Sequence, residues 1–150
     1  MVWGSHEQDV GVIVSVGLKV PQDAAAPLVH SLPYGKKVDL ACRVLEGRPA
    51  PDLPELAKEL DYVRRVFRPE RDTLAHGAFG MWAEDAWVRA IAKERFVIFD
   101  DLRALYDRAE YARKISAEAV CKIQGYYPEG SRPPRPSAPS GRIPDGWLAP

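Results

Sequence analysis

Between residues 53 and 67 the apolar side chains Leu53, Leu56, Leu60, Val63 and Phe67 recur every three or four positions. That step is the signature of one buried helical face and predicts a helix from about Pro54 to Arg68. Asp52 is placed to cap it, and Pro54 suits a first turn. The same step through Leu102, Leu105, Ala109, Ala112, Ala119 and Ile123 predicts a long closing helix, with Asp100 and Asp101 as caps and Gly125 as its end. Val38, Ala41 and Leu45 put a third helix over about Tyr34 to Glu46, with Gly47 as its stop.

Elsewhere the pattern changes. Val10, Val12, Val14, Val16, Leu18 and Val20 occupy alternate positions. Period and β-branching alone predict a strand there. Trp87, Arg89 and Ile91, then Arg95 to Phe99, read as two short extended pieces forming a small hairpin before the closing helix. From Pro128 onward the chain holds half of its fourteen prolines, mixed with Ser, Gly and Arg. Proline lacks a backbone donor, so this stretch is expected to be an extended, disordered tail. Trp147 and Leu148 could dock it on a neighbouring surface, but a simple disordered end is expected. The expected organisation is therefore one helical domain over 1–127 followed by a proline-rich tail over 128–150.

Composition narrows the class. The 150 residues include 21 Lys plus Arg and 21 Asp plus Glu, a formal net charge of zero, with 46% hydrophobic positions. Such a chain can build one core, and it has no bulk charge with which to attract nucleic acid. The run from Val10 to Leu18, followed by Ala24, Ala25 and Ala26, faintly resembles an export signal. Glu7 and Asp9 stand where such a signal carries positive charge, so a cytoplasmic protein is expected. The run is also too short to span a bilayer, and no membrane role is expected. Cys42 and Cys121 are too few for a disulfide framework and read as core thiols. His6 and His30 have no second ligand at metal spacing, so neither a metal nor a cofactor is expected.

Chemistry concentrates in residues 64–77, RRVFRPERDTLAHG. Arg64, Arg68 and Arg71 follow at i, i+4 and i+7, on one helical face with Arg65 alongside. Pro69 is expected to kink the helix or start a new turn. Gly77 ends the element and leaves His76 at a helix C-terminus, where the dipole favours the imidazolium. A nearby guanidinium opposes that, so the ring is expected to titrate near neutrality, as an acid–base group should. The bland alternative is a surface arginine, a capping histidine and a solvated basic face. Phe79, Met81, Trp82 and Trp87 could stack bases, but packing is their expected use.

The segment Arg71-Asp72-Thr73-Leu74-Ala75-His76 resembles the R-x4–6-H motif of the HEPN superfamily (higher eukaryotes and prokaryotes nucleotide-binding domains). The likeness extends, as layout, over roughly residues 3–125. It includes the lead-in YGKKVDL at 34–40, the motif after the next helix, a short extended excursion and a long closing helix. The resemblance implies an all-α fold, an HEPN-like helical bundle with a short β-hairpin before the last helix. It also implies a helix for the valine-rich run, and that is the reading we take over the strand. It further implies a homodimer with a composite, metal-independent ribonuclease site. There His76 would be the base, Arg71 the phosphate clamp, and Asp72 the polar neighbour, where many members carry Asn. We add Arg64, Arg65 and Arg68 as phosphate contacts. The expected function is an endoribonuclease, a toxin or defence effector with an antitoxin or other protein partner. The alternative is a non-catalytic dimeric interaction module that keeps the pair structurally.

Overall fold

The computed structural model describes the backbone of residues 2–82, 85–90, 95–98, 102–126 and 132–139, with side chains for all of these except 69, 70 and 72–102. Among the described residues, helices dominate: α1 (Val2–Leu18), α2 (Gln22–Ser31), α3 (Tyr34–Glu46), α4 (Leu53–His76) and α5 (Leu102–Ile123). The chain divides into two compact units, 1–65 with 109–134, and 66–108 with 135–150. The expected caps Asp100 and Asp101, most of the proline-rich tail, and Trp147 and Leu148 lie outside the described residues.

The first unit holds α1, α2, α3, the start of α4 and most of α5. On α1 the residues that go inside are Trp3, His6, Val10, Ile13 and Val14. Their spacing is a helical three-and-four step, so the alternation that suggested a strand is incidental. Val12 and Val16 of the alternating set are only half-buried, and Leu18 and Val20 are exposed. α1 approaches α3 closely at Gly17, where an added Cβ would collide with the Val44 side chain. It ends through Lys19, whose φ of 55° is unusual for a residue with a side chain.

α2 was not legible in the sequence pattern. It starts after Pro21, whose carbonyl accepts from Ala24 and Ala25, and it contains Pro27. Ala25 and Val29, four residues apart, are its buried face. α3 has the bounds the pattern predicts and buries Tyr34, Lys37, Val38, Ala41 and Leu45. The start of α4 buries Leu53, Leu56, Ala57, Leu60 and Val63, and α5 adds Ala112, Ile115 and Ala119. α5 closes on Gly125 at φ 88°, with Tyr126 N–H donating to Cys121 O at 2.8 Å and Gly125 N–H to Lys122 O at 3.1 Å. That pair of bonds is a left-handed glycine cap that satisfies the last carbonyls.

α4 is longer than the sequence suggested. It passes Pro69 and stays helical to His76. Proline at 69 withdraws the donor that Arg65 O would otherwise receive, and the division between the two units falls at that residue. In the second unit α4 runs directly into β1 (Gly77–Trp82), followed by β2 (Asp85–Ala90) and β3 (Arg95–Ile98). They form an antiparallel meander in the order β1-β2-β3, with Phe79 opposite Val88 and Val88 opposite Val97. Phe67 and Arg108 are buried on the helical parts of this unit.

A polar layer runs through the first unit. His6, 1% exposed, lies 2.9 Å from Tyr34 Oη and 3.0 Å from Ala112 O. A carbonyl only accepts, so Nδ1 donates to Ala112 O, and Nε2 shares a hydrogen bond with the Tyr34 hydroxyl. Trp3 stands edge-on to the ring at 5.7 Å. Replacing His6 by Leu removes both hydrogen bonds from the core and is expected to cost about 3 kcal/mol, read from urea unfolding. Adding Tyr34→Phe should recover part of that loss, and strict additivity of the two changes would refute the coupling. Gly17→Ala should destabilise by about 1–3 kcal/mol, and Val44→Ala in the same chain should restore most of it.

Candidate functional site

The residues singled out by sequence all lie on α4. Arg64 and Arg65 belong to the first unit, and Arg68, Arg71, Asp72 and His76 to the second. Arg64 and Arg65 are both held by Asp61, one turn earlier. Arg64 Nη2 donates to Oδ1 at 2.5 Å, and Arg65 Nε to Oδ2 at 2.7 Å. Arg64 also reaches Asp39 on α3 at 3.4 Å. The Arg64 hydrogen bond, opposed by burial and joined by Arg65, holds the Asp61 carboxyl below its ordinary range, and Arg64 is pushed up in return. Two carboxylates thus neutralise two guanidinium groups locally.

Arg68 is exposed and Arg71 half-buried, and both are engaged with other groups. The side chains of Asp72 and His76 lie outside the described residues, so only their backbone positions bear on the site. Because α4 is continuous here, Arg71 and His76 are separated by five residues of helix. That is about 140° of rotation and about 7.5 Å of rise. Positions 72 and 76, four apart, share a face instead. His76 is the last helical residue and Gly77 the first of β1. The aromatic side chains of β1 and β2 also lie outside the described residues.

Sequence reasoning did not anticipate a cleft of about 310 Å³ between α1 and α2 in the first unit. Glu7, Gln8, Ser15, Gln22, His30 and Lys37 supply its polar lining, and Gly11, Val12 and Val29 its apolar wall. Lys37, with a side chain 6% exposed, donates to Glu7 Oε1 at 2.7 Å. The signal for this cleft is weak in sequence because α2 itself was not evident, and the lining residues span 4 to 37. Among the described residues, no three His, Cys, Asp or Glu side chains gather as a metal site would require. Cys42 Sγ donates to Ala57 O at 3.3 Å. Burial first, then Asp61 and Glu46, push its thiol up to about 12, which makes it a poor nucleophile.

Asp9 is the other carboxylate facing the core layer. Its Oδ2 accepts from Ser116 Oγ on α5 at 2.9 Å. Burial pushes its carboxyl above the ordinary 3.8, and the Ser116 hydrogen bond and the Arg113 charge offset this only in part. A raised folded pKa means the neutral acid is favoured by folding. Its stabilising contribution is complete below the unfolded pKa and is lost as pH rises through the folded one. Asp9→Asn keeps an acceptor toward Ser116, so the variant should melt higher than wild type at pH 7. The gain should disappear below pH 3.8, where Asp9 is protonated in both states. A lower melting temperature at pH 7 would contradict this.

Comparison with known proteins gave no matching family model, no matching curated protein and no matching solved structure.

Proposed function

We propose that this protein is a metal-independent endoribonuclease of the HEPN type, working as a homodimer with a composite site. The observation that carries the reading is the course of α4, which remains helical through Arg71 and Asp72 and stops at His76. A histidine at a helix C-terminus lies where the dipole favours the imidazolium. The bundle is taken to be HEPN-like, with the excursion before α5 as its hairpin.

His76 removes the proton of a ribose 2′-hydroxyl, and the 2′-oxygen attacks the adjacent phosphorus. The bond to the 5′-oxygen breaks, leaving a 2′,3′-cyclic phosphate, and the 5′-oxygen takes a proton from water to leave as a hydroxyl. RNA supplies its own nucleophile, so the protein needs only a base and a fixed cation. Arg71 supplies that cation. About 140° separates it from His76 on one helix, so the base of one copy works best with the guanidinium of the other. Asp72 is the polar neighbour that orients one of the two. Arg68 contacts the phosphate backbone, and Arg64 and Arg65 contribute to the extent that phosphate displaces Asp61. A cellular role as a toxin or defence effector in the cytoplasm, with a protein antitoxin, is consistent with such an activity.

A second reading has its own support. Asp61 and Asp39 neutralise much of the basic face on the first half of α4. A dimeric interaction module that uses the Arg71–His76 pair only structurally would have that property. Labelled structured RNA incubated in EDTA separates the two. The ribonuclease reading expects cyclic-phosphate ends, with cleavage reduced about 100-fold or more by His76→Ala or Arg71→Ala. Mixing the two inactive variants should restore part of the activity through hybrid dimers. Equal cleavage by wild type and His76→Ala, or none on several RNAs, would favour the interaction module.

A further inference from the structure

Along α1, Gly4, Glu7, Gln8, Gly11, Val12 and Ser15 recur at steps of three and four, beside the buried stripe that begins with Trp3 and His6. This second face is the α1 wall of the cleft, and every residue lining the cleft falls between 4 and 37, inside the first unit. Two glycines shape the space. At Gly11 the helices are close, since an added Cβ would meet Val29 Cγ1 of α2 at 3.2 Å. At Gly4 an added Cβ would meet nothing within 4 Å, so the cleft is open there. Its volume of about 310 Å³ stands at the lower end of the range for small-molecule sites, about 300–1,000 Å³. The occupant that fits is a small one.

The charges lining the cleft narrow its chemistry. The Lys37 side chain is 6% exposed, yet its ammonium carries three donors and, among the described residues, has one acceptor, Glu7 Oε1 at 2.7 Å. A buried cation with more donors than acceptors is costly, so Lys37 favours an acceptor that enters the cleft. A bare anion is nonetheless a poor fit, because the Glu7 carboxylate beside that nitrogen repels it. Glu7 is itself 28% exposed, and a carboxylate has about four acceptor sites, so it takes a further donor while holding Lys37. Ser15 Oγ donates to Gly11 O at 2.9 Å, which leaves the hydroxyl oxygen as an acceptor for the cleft. A donor and two acceptors thus share one cleft with the apolar surface of Val12 and Val29.

We propose that this cleft binds a small zwitterion of the α-amino-acid class with an aliphatic side chain. Its carboxylate accepts from the Lys37 ammonium, and its ammonium donates to Glu7 and to Ser15 Oγ. The side chain lies against Val12 and Val29. Each charge of the ligand meets the opposite member of the Glu7–Lys37 pair, so none is left buried and unpaired. A carboxylic acid or an amine of the same shape satisfies one member of the pair and is repelled by the other. Binding here does not depend on the ribonuclease reading.

The test titrates L-leucine into full-length protein labelled with nitrogen-15. Saturable shifts are expected at the amides of Gln8, Gly11, Ser15 and Val29, with a Kd below about 1 mM. Isocaproate, which lacks the ammonium, and isoamylamine, which lacks the carboxylate, should each bind about tenfold or more weakly. Lys37→Met should abolish binding, but it strips Glu7 of a buried partner and can fold poorly. Gly4→Leu keeps the test valid, because it adds a side chain in the open part of the cleft and improves helix propensity. It should weaken L-leucine binding about tenfold or more with no loss in the urea midpoint. No saturable shift with L-leucine at about 10 mM would overturn the proposal. So would isocaproate or isoamylamine binding as tightly as L-leucine, or undiminished binding by Gly4→Leu.

Discussion

The imidazole of His6 holds one hydrogen bond to α3 and another to α5, and the packing of the first unit is arranged around those two bonds. Tyr34 is 28 residues away and Ala112 is 106 residues away. A buried ring with two polar atoms costs free energy unless both are satisfied, and here both have partners. The side chain therefore specifies how three helices meet, where an apolar residue would allow sliding. The next turn of α1 extends the arrangement, with Glu7 reaching Lys37 on α3 and Asp9 reaching Ser116 on α5. Beyond Val10 the contacts become purely apolar, through Ile13 and Val14. Gly17 then lets α1 approach Val44. One helix thus carries a directional half and a close-packed half.

The balance of charge visible in the composition is carried out locally. Asp61 takes Arg64 and Arg65, Glu110 takes Arg113, and Glu118 takes Lys122 and Arg132. Most of these pairs lie three or four residues apart on one helix, where each surface pair contributes only about 0.3–0.5 kcal/mol. Their larger effect is on what the surface can attract. A helix face with its guanidinium groups already matched offers little long-range pull on a polyanion. Any RNA chemistry would then rest on short-range geometry at the end of α4.

The helices were legible to different degrees, for identifiable reasons. α3 could be bounded to the residue because its apolar step is regular and Pro33 and Gly47 flank it. α1 carried two overlapping patterns, and the alternating valines concealed a buried stripe that begins with Trp3 and His6, neither of which a hydrophobicity count weights strongly. α2 was concealed by Pro27 and a run of alanines, because only Ala25 and Val29 of its ten residues are buried. Pro69 suggested a kink or a new turn, and α4 stays helical past it to His76, since the residues after it, Glu70 to Ala75, are mostly good helix formers. For the candidate site, sequence placed the Arg71–His76 pair relative to the helix end. It could not show that Asp61 already holds two of the neighbouring arginines together, nor that a cleft opens between α1 and α2.

By itself the sequence determined the mainly helical class, the places where α3, α4 and α5 begin, and the position of the motif near a helix terminus. These follow from interactions between residues three or four apart, which periodicity records directly. Only the tertiary structure decided which polar groups meet: His6 with Tyr34 and Ala112, Asp9 with Ser116, Tyr111 with Glu59, Arg132 with Glu118. The reason is physical. Burial forces each polar group to find a partner, but the partner is whatever the packed helices bring alongside. A chain read one turn at a time carries no record of groups that lie a hundred residues away.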